Sequence, residues 1–130
     1  MNNKGFTLLE LIVVLIVMAA LVAIALPQYA GFVERAKASE AITAIGAIKM
    51  AEEATRLQTG DYTSNINALG LNLANATWNY GVVATGGTSF VATATRNGGG
   101  TGISGTIINL NYTNAGVSTW SGTHPGAPKS

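Results

Sequence analysis

The 130-residue chain contains no cysteine. Disulfide scaffolds, thiolate metal sites and cysteine nucleophiles are thereby excluded. Charge is also scarce: Asp, Glu, Lys and Arg make up 10% of the residues, against about 25% in an ordinary soluble domain. The formal net charge of +1 offers no concentrated basic patch, so no nucleic-acid partner is expected. Asp61 is the last carboxylate side chain, and His124, set among Thr, Pro and Gly, is the one histidine. His124 reads as an exposed tail residue. Ser104 and Ser118 have no base near them in sequence, and a hydroxyl nucleophile requires one. The run of glycines at 98–100 and 102 lacks the Lys-Ser/Thr ending of a phosphate-binding loop. With no grouping of acid, base, nucleophile or metal ligands, the chain reads as a non-enzyme that needs no cofactor and no metal.

What the chain does have is a long apolar run. Every residue from 11 to 26 is apolar, and 6–9 extend the run with only Thr7 interrupting. Between Lys4 and Glu34 the sole charge is Glu10. At ~1.5 Å per residue a helix over 6–26 is about 30 Å long, enough to cross a bilayer core. Pro27 removes a backbone hydrogen bond and crowds the preceding turn, which predicts a kink or break over 23–27. Beyond Phe32 the pattern becomes amphipathic. Ile42, Ile45 and Ile48 recur at helical spacing, while Glu34, Arg35, Lys37, Glu40, Lys49, Glu52, Glu53 and Arg56 supply a wet face. Glu52 with Arg56 and Lys49 with Glu53 are spaced for pairing along the helix. Thr59-Gly60-Asp61 marks its end, with Gly60 as a left-handed cap.

From Gly60 onward the periodicity is two. Trp78, Tyr80, Val82 and Ala84 alternate with polar or small residues, Gly86-Gly87 offers a tight turn, and 90–95 gives a second strand. Residues 107–112 read as a third strand, 117–120 as a short fourth, and 97–102 as a flexible hairpin loop. Pro125 and Pro128 mark a loose tail. The aromatics of this region read as a small β core, and Tyr29 and Phe32 as an interfacial belt. Asn75-Ala76-Thr77 and Asn111-Tyr112-Thr113 fit the glycosylation acceptor pattern without requiring it. The expected fold is α+β, a long helix packed through Ile42, Ile45 and Ile48 on a small antiparallel sheet of three or four strands. Its expected parts are a polar leader at 1–5, an apolar helix at 6–27, an amphipathic continuation at 28–59, and a Gly/Thr/Asn-rich β region at 60–130.

The order Lys4-Gly5-Phe6-Thr7-Leu8-Leu9-Glu10, followed at once by the apolar run, carries the function. A secretory signal peptide is cut after its apolar stretch, and Ala23-Ile24-Ala25 nominally fits such a cut. The apolar run, however, is long for a signal core, begins with a carboxylate, and is followed by renewed helical pattern. A cut before the run, at Gly5, keeps the helix as an anchor, with Lys4 on the cytoplasmic side. Glu10 is the physically odd residue. A carboxylate within a membrane helix costs about 2–3 kcal/mol on insertion scales. A cut after Gly5 frees the Phe6 amine, a cation able to pair with Glu10 of a neighbouring copy and so to set register between subunits.

At these residues the chain resembles the type IV pilins and the related pseudopilins of type II secretion. The resemblance rests on Gly5 before Phe6-Thr7-Leu8-Leu9-Glu10, on the unbroken apolar helix, and on Pro27, and covers about the first 60 residues. It implies cleavage after Gly5 and methylation of the Phe6 amine by a prepilin peptidase. The subunit then waits as a single-pass protein of the inner membrane before assembly machinery lifts it into an extracellular filament on the cell surface. The filament is a homopolymer with the N-terminal helices at its core and the β regions outside, and helix is lost locally around 19–27 on assembly. Two departures stand out. Many pilins close their C-terminal region with a disulfide, and no cysteine is present here. Major pseudopilins often carry a C-terminal calcium site of acidic residues, which a chain without carboxylates past Asp61 does not support. A pilin is therefore the first reading and a pseudopilin the second. A binding module on a plain single-pass anchor, or secreted after a cut at Ala25, is the third, and leaves Glu10 and the leader unexplained.

Overall fold

A computed structural model describes residues 5–129. A single helix, α1 (Leu8–Thr59), is followed by a 3-10 turn (Ile66–Leu69) and four strands: β1 (Trp78–Thr85), β2 (Ser89–Arg96), β3 (Ile107–Thr113) and β4 (Ser118–Gly122). The chain divides into two compact units, Met1–Val33 and Glu34–Ser130.

In the first unit every described residue from 5 to 32 is exposed. The segment is apolar on all sides, which suits it to lipid or to other helices rather than to water. Its length and composition are sufficient to cross a membrane. Pro27 lies inside α1, so the break expected near 23–27 is not present in the single subunit. One missing amide is tolerated in a helix that has several intact turns on either side.

The second unit is built on the amphipathic half of α1. Ala38, Ala41, Ile45 and Ile48 are buried, and Ile42 is partly so. The helix ends where Gly60 takes a positive φ of 91° and donates its amide to the Arg56 carbonyl at 2.8 Å, the left-handed cap that a Cβ would disfavour.

The four strands form an antiparallel meander in the order β1-β2-β3-β4. Register follows the two-residue alternation, because a slip of one would turn every apolar side chain to the wrong face. Val82 pairs with Ala92, Ala92 with Leu110 and Leu110 with Trp120, while the next row joins Ala84, Phe90 and Tyr112. Burial in β2 alternates strictly, with Phe90, Ala92, Ala94 and Arg96 on the inner face. The small Ala92 and Ala94 share one core cluster with Ile45, Ile48, Trp78, Ile108 and Leu110. Full burial of a large side chain of this kind stabilises by roughly 1.5–3 kcal/mol.

Two expectations are corrected. Glu52 is fully buried, not on the wet face, and neither it nor Lys49 forms its expected ion pair among the described residues. Arg56 instead donates to the Gly87 carbonyl at 3.2 Å and Lys49 to the Ser118 hydroxyl at 3.3 Å. The loose tail is also corrected. His124 is 3% exposed, the Ala127 amide donates to the His124 carbonyl at 2.9 Å, and Ala127 packs on the core.

Candidate functional site

The N-terminus of α1 is set by its sequence. Thr7 precedes the first helical residue, its carbonyl accepts the Leu11 amide at 3.3 Å, and its hydroxyl accepts the Glu10 amide at 3.2 Å. This is an N-cap, with Glu10 at the third helical position. Threonine followed three residues later by glutamate is the signature of a capping box, a signal legible in Thr7-Leu8-Leu9-Glu10 and missed above. The Glu10 carboxylate also sits where the positive end of the helix dipole favours a negative charge. Phe6 is 83% exposed. A Cβ built on Gly5 meets open space, so nothing in the fold requires glycine there. Lys4 and the rest of 1–4 lie outside the described residues. Gly5, Phe6 and Glu10 are thus presented together at one helix end, with Pro27 further along the same helix.

A second constellation, unforeseen in the sequence, lies in the second unit. Glu34 on α1 receives both Nε and Nη2 of Arg96, at 3.1 and 3.2 Å, in a forked pair, and Lys37 Nζ at 3.0 Å. Arg96 also donates to the carbonyls of Thr77 and Asn97, and lies over the Trp78 ring. The Trp78 indole donates to the Lys37 carbonyl at 3.1 Å, and the His124 ring leans on Trp78 with centroids 5.1 Å apart. Nδ1 of His124 accepts the Gly126 amide at 3.0 Å, and its Nε2 approaches Glu34 to 3.5 Å without forming a hydrogen bond. The Arg96 guanidinium holds the Glu34 carboxyl down to about 2, with Lys37 helping and burial opposing. A forked, largely desolvated pair of this type is geometrically specific. Here it fastens residues 124–127 and β2 to the beginning of the amphipathic half of α1. Its chemistry is that of a structural clasp. The sequence hid it because its members stand 62 residues apart.

Glu52 accepts the Thr63 amide at 2.9 Å through one oxygen, while the other has no partner among the described residues. Burial pushes this carboxyl up, the Thr63 amide working in the opposite direction. Next to it, Glu53 accepts the Tyr62 hydroxyl at 2.6 Å. Burial, aided by that carboxylate, pushes the Tyr62 phenol up to about 12. Both contacts pin the turn that leaves α1. Among the described residues no group of His, Asp and Glu is arranged to hold a metal.

Comparison with known proteins gives two family matches. Residues 34–129 match the pilin (bacterial filament) family, and residues 1–26 match the prokaryotic N-terminal methylation motif. The chain is 36% identical over 123 residues to the fimbrial protein EcpC of Eikenella corrodens, covering 91% of this chain and 80% of that protein. It is 31% identical over 114 residues to the type IV major fimbrial protein FimA of Dichelobacter nodosus, covering 73% of each. Similarity to the type IV major pilin protein PilA of Myxococcus xanthus is 36% over 69 residues, covering 53% of this chain and 31% of that protein.

Proposed function

The chain belongs to the pilin family of bacterial filament subunits, and from that premise we propose how this subunit is processed, stored and assembled. It is a structural subunit of a type IV pilus, with the α+β fold and the methylation motif of that family. The pilus is a cell-surface filament, and the apolar helix suits membrane anchoring before assembly.

The proposed cut lies between Gly5 and Phe6, Lys4 remaining with the leader, and the freed Phe6 amine is methylated. The observation that carries this reading is the helix end itself. Phe6 stands exposed just before the Thr7 cap, Gly5 has no role in the fold, and the motif match spans both. Glu10 then acts between subunits, its carboxylate taking the Phe6 amine of a neighbouring copy where both leave water. A carboxylate left unpaired in hydrocarbon is costly, so copies that satisfy it are preferred over copies in other registers. The apolar surface of residues 6–26 supplies the attraction, and the helix near Pro27 loosens when subunits pack. The subunit works as a homopolymer without catalysis, and the prepilin peptidase and assembly machinery are its transient partners.

Intact-mass measurement of subunits sheared from the cell surface tests the reading. The expected mass is that of a chain starting at Phe6 and carrying one added methyl group. A chain that keeps Met1 or Asn2, or that starts at Leu26, overturns it.

A further inference from the structure

Asn97 follows the last residue of β2 and precedes three glycines. Asn97-Gly98 is the one Asn-Gly pair in the chain, every other asparagine being followed by a residue with a side chain. That difference has chemical weight. A Cβ on the following residue crowds the approach of its amide nitrogen to the asparagine side chain. At Gly98 the approach is open: φ is 66°, the residue is exposed, and a Cβ built there meets nothing within 4 Å. The Gly98 amide also donates to no acceptor among the described residues.

Asn97, by contrast, is held at three points. Its amide donates to the Thr77 carbonyl at 2.8 Å. Its side-chain oxygen accepts Nδ2 of Asn79 at 2.8 Å. Its main-chain carbonyl accepts Nη1 of Arg96, a side chain only 4% exposed.

The last two contacts fall on the two groups that react when a glycine amide attacks an asparagine side chain. Asn79 polarises the side-chain carbonyl and stands where negative charge develops on Oδ1 as a nucleophile adds to Cγ. Arg96 draws electron density from the carbonyl of the same planar, conjugated peptide unit that carries the Gly98 N–H, which eases loss of that proton. Nδ2 of Asn97 donates to no acceptor among the described residues, so the leaving group is unheld.

We propose that Asn97 is a site of self-modification, where the Gly98 amide nitrogen displaces the side-chain amide and water then leaves a carboxylate beside the clasp. The Gly98 nitrogen gives its proton to solvent and bonds to Cγ of Asn97. The Cγ–Nδ2 bond breaks, and Nδ2 takes up a proton and departs as ammonia, leaving a cyclic succinimide. Water then opens the ring. Cleavage of the Cγ–N bond restores the main chain and gives aspartate. Cleavage of the original peptide C–N bond gives isoaspartate, with the main chain rerouted through Cγ. The sum is asparagine plus water to acid plus ammonia, without redox change. The reaction is independent of how the apolar helix is processed or assembled.

Peptide mapping of the full-length subunit in detergent, incubated at mildly alkaline pH, tests this, with enzymatic methylation of isoaspartyl groups as a second readout. Asn97 is expected to convert before any other asparagine and to yield both aspartate and isoaspartate. Asn97→Gln, whose longer side chain disfavours the ring, should remove the isoaspartyl label. Asn79→Ala, at an exposed position, should slow conversion of the folded protein about threefold to tenfold through loss of one hydrogen bond. In urea, where the Asn79 contact is absent, wild type and Asn79→Ala should convert at the same rate. The proposal is overturned if another asparagine converts first or if the label survives Asn97→Gln. It is equally overturned if Asn97 converts more slowly in the folded protein than in urea, or if Asn79→Ala has no effect on the folded protein or slows conversion in urea as well.

Discussion

At the scale of single residues, three carboxylates on one helix have three different environments. Glu10 is exposed and sits at the helix start, Glu34 is clasped by Arg96, and Glu52 is buried with one oxygen unpartnered among the described residues. For Glu10 the prediction concerns assembly. Glu10→Ala should leave the subunit inserted in the membrane yet abolish surface filaments, as judged by electron microscopy and by the sheared fraction. Normal filaments from that variant would remove the register role. For Glu52 the prediction concerns stability. Its folded-state value is raised, so its contribution is fullest below the ordinary carboxylate range and is lost as pH rises through the folded value. Glu52→Gln keeps an acceptor for the Thr63 amide and cannot ionise. It should raise the melting temperature at pH 8 and flatten the pH profile of stability above the ordinary carboxylate range; an unchanged profile would remove the titration of Glu52 as its cause. Sequence periodicity placed Glu52 on the wet face because a charged side chain is rarely fully buried. The reason it turns inward is a contact with Thr63, which the helical pattern does not contain.

At the scale of elements, the parts most legible in the sequence were those with an internal period. Alternation located three strands and left a short fourth at 117–120 open, which is β4 (Ser118–Gly122), and Gly60 located the end of α1. The apolar run located the first part of the helix. The break at Pro27 was not found in the single subunit, since proline weakens a long helix without having to end it. The C-terminal segment was the least legible. Pro125 and Pro128 suggested looseness, but what holds 124–127 is a set of contacts to Glu34, Trp78 and Ala38, all distant in sequence. A Cβ at Gly126 would stand 2.4 Å from the Cβ of Ala38, and neither atom belongs to a flexible side chain. Gly126→Ala should therefore destabilise the second unit by about 1–3 kcal/mol, read as a lower thermal midpoint and as faster amide exchange at Ala127. An unchanged midpoint would mean that the segment is not packed on α1.

At the scale of the whole molecule, the two units differ in what they bury. The first unit has an apolar surface with none of its described residues buried, while the second has its own core, sheet and clasp. A fragment comprising residues 30–130 should accordingly be monomeric in water without detergent and unfold cooperatively, as judged by light scattering and calorimetry. Aggregation of the folded fragment would show that the second unit depends on the apolar helix. Its acid behaviour follows from Glu34, whose carboxyl falls from 4.5 to about 2 on folding. A depressed acid stabilises fully above its unfolded value and loses that contribution as pH falls through the folded one. The fragment should therefore lose about 2–3 kcal/mol between about pH 4.5 and 2, the upper figure reduced for the partial solvent access of Glu34.

The clasp also dictates a temporal order. Glu34, at the opening of the second unit, pairs at once with Lys37, meets Arg96 only after 62 further residues, and is approached by His124 near the close of the unit, so the amphipathic half-helix emerges early but completes the clasp in stages. Contacts so far apart in sequence are slow to form and are gained late. Until residues 124–127 are in place, the Trp78 face that the His124 ring covers stays open to water. Closure of the clasp is thus among the last events of folding in the second unit.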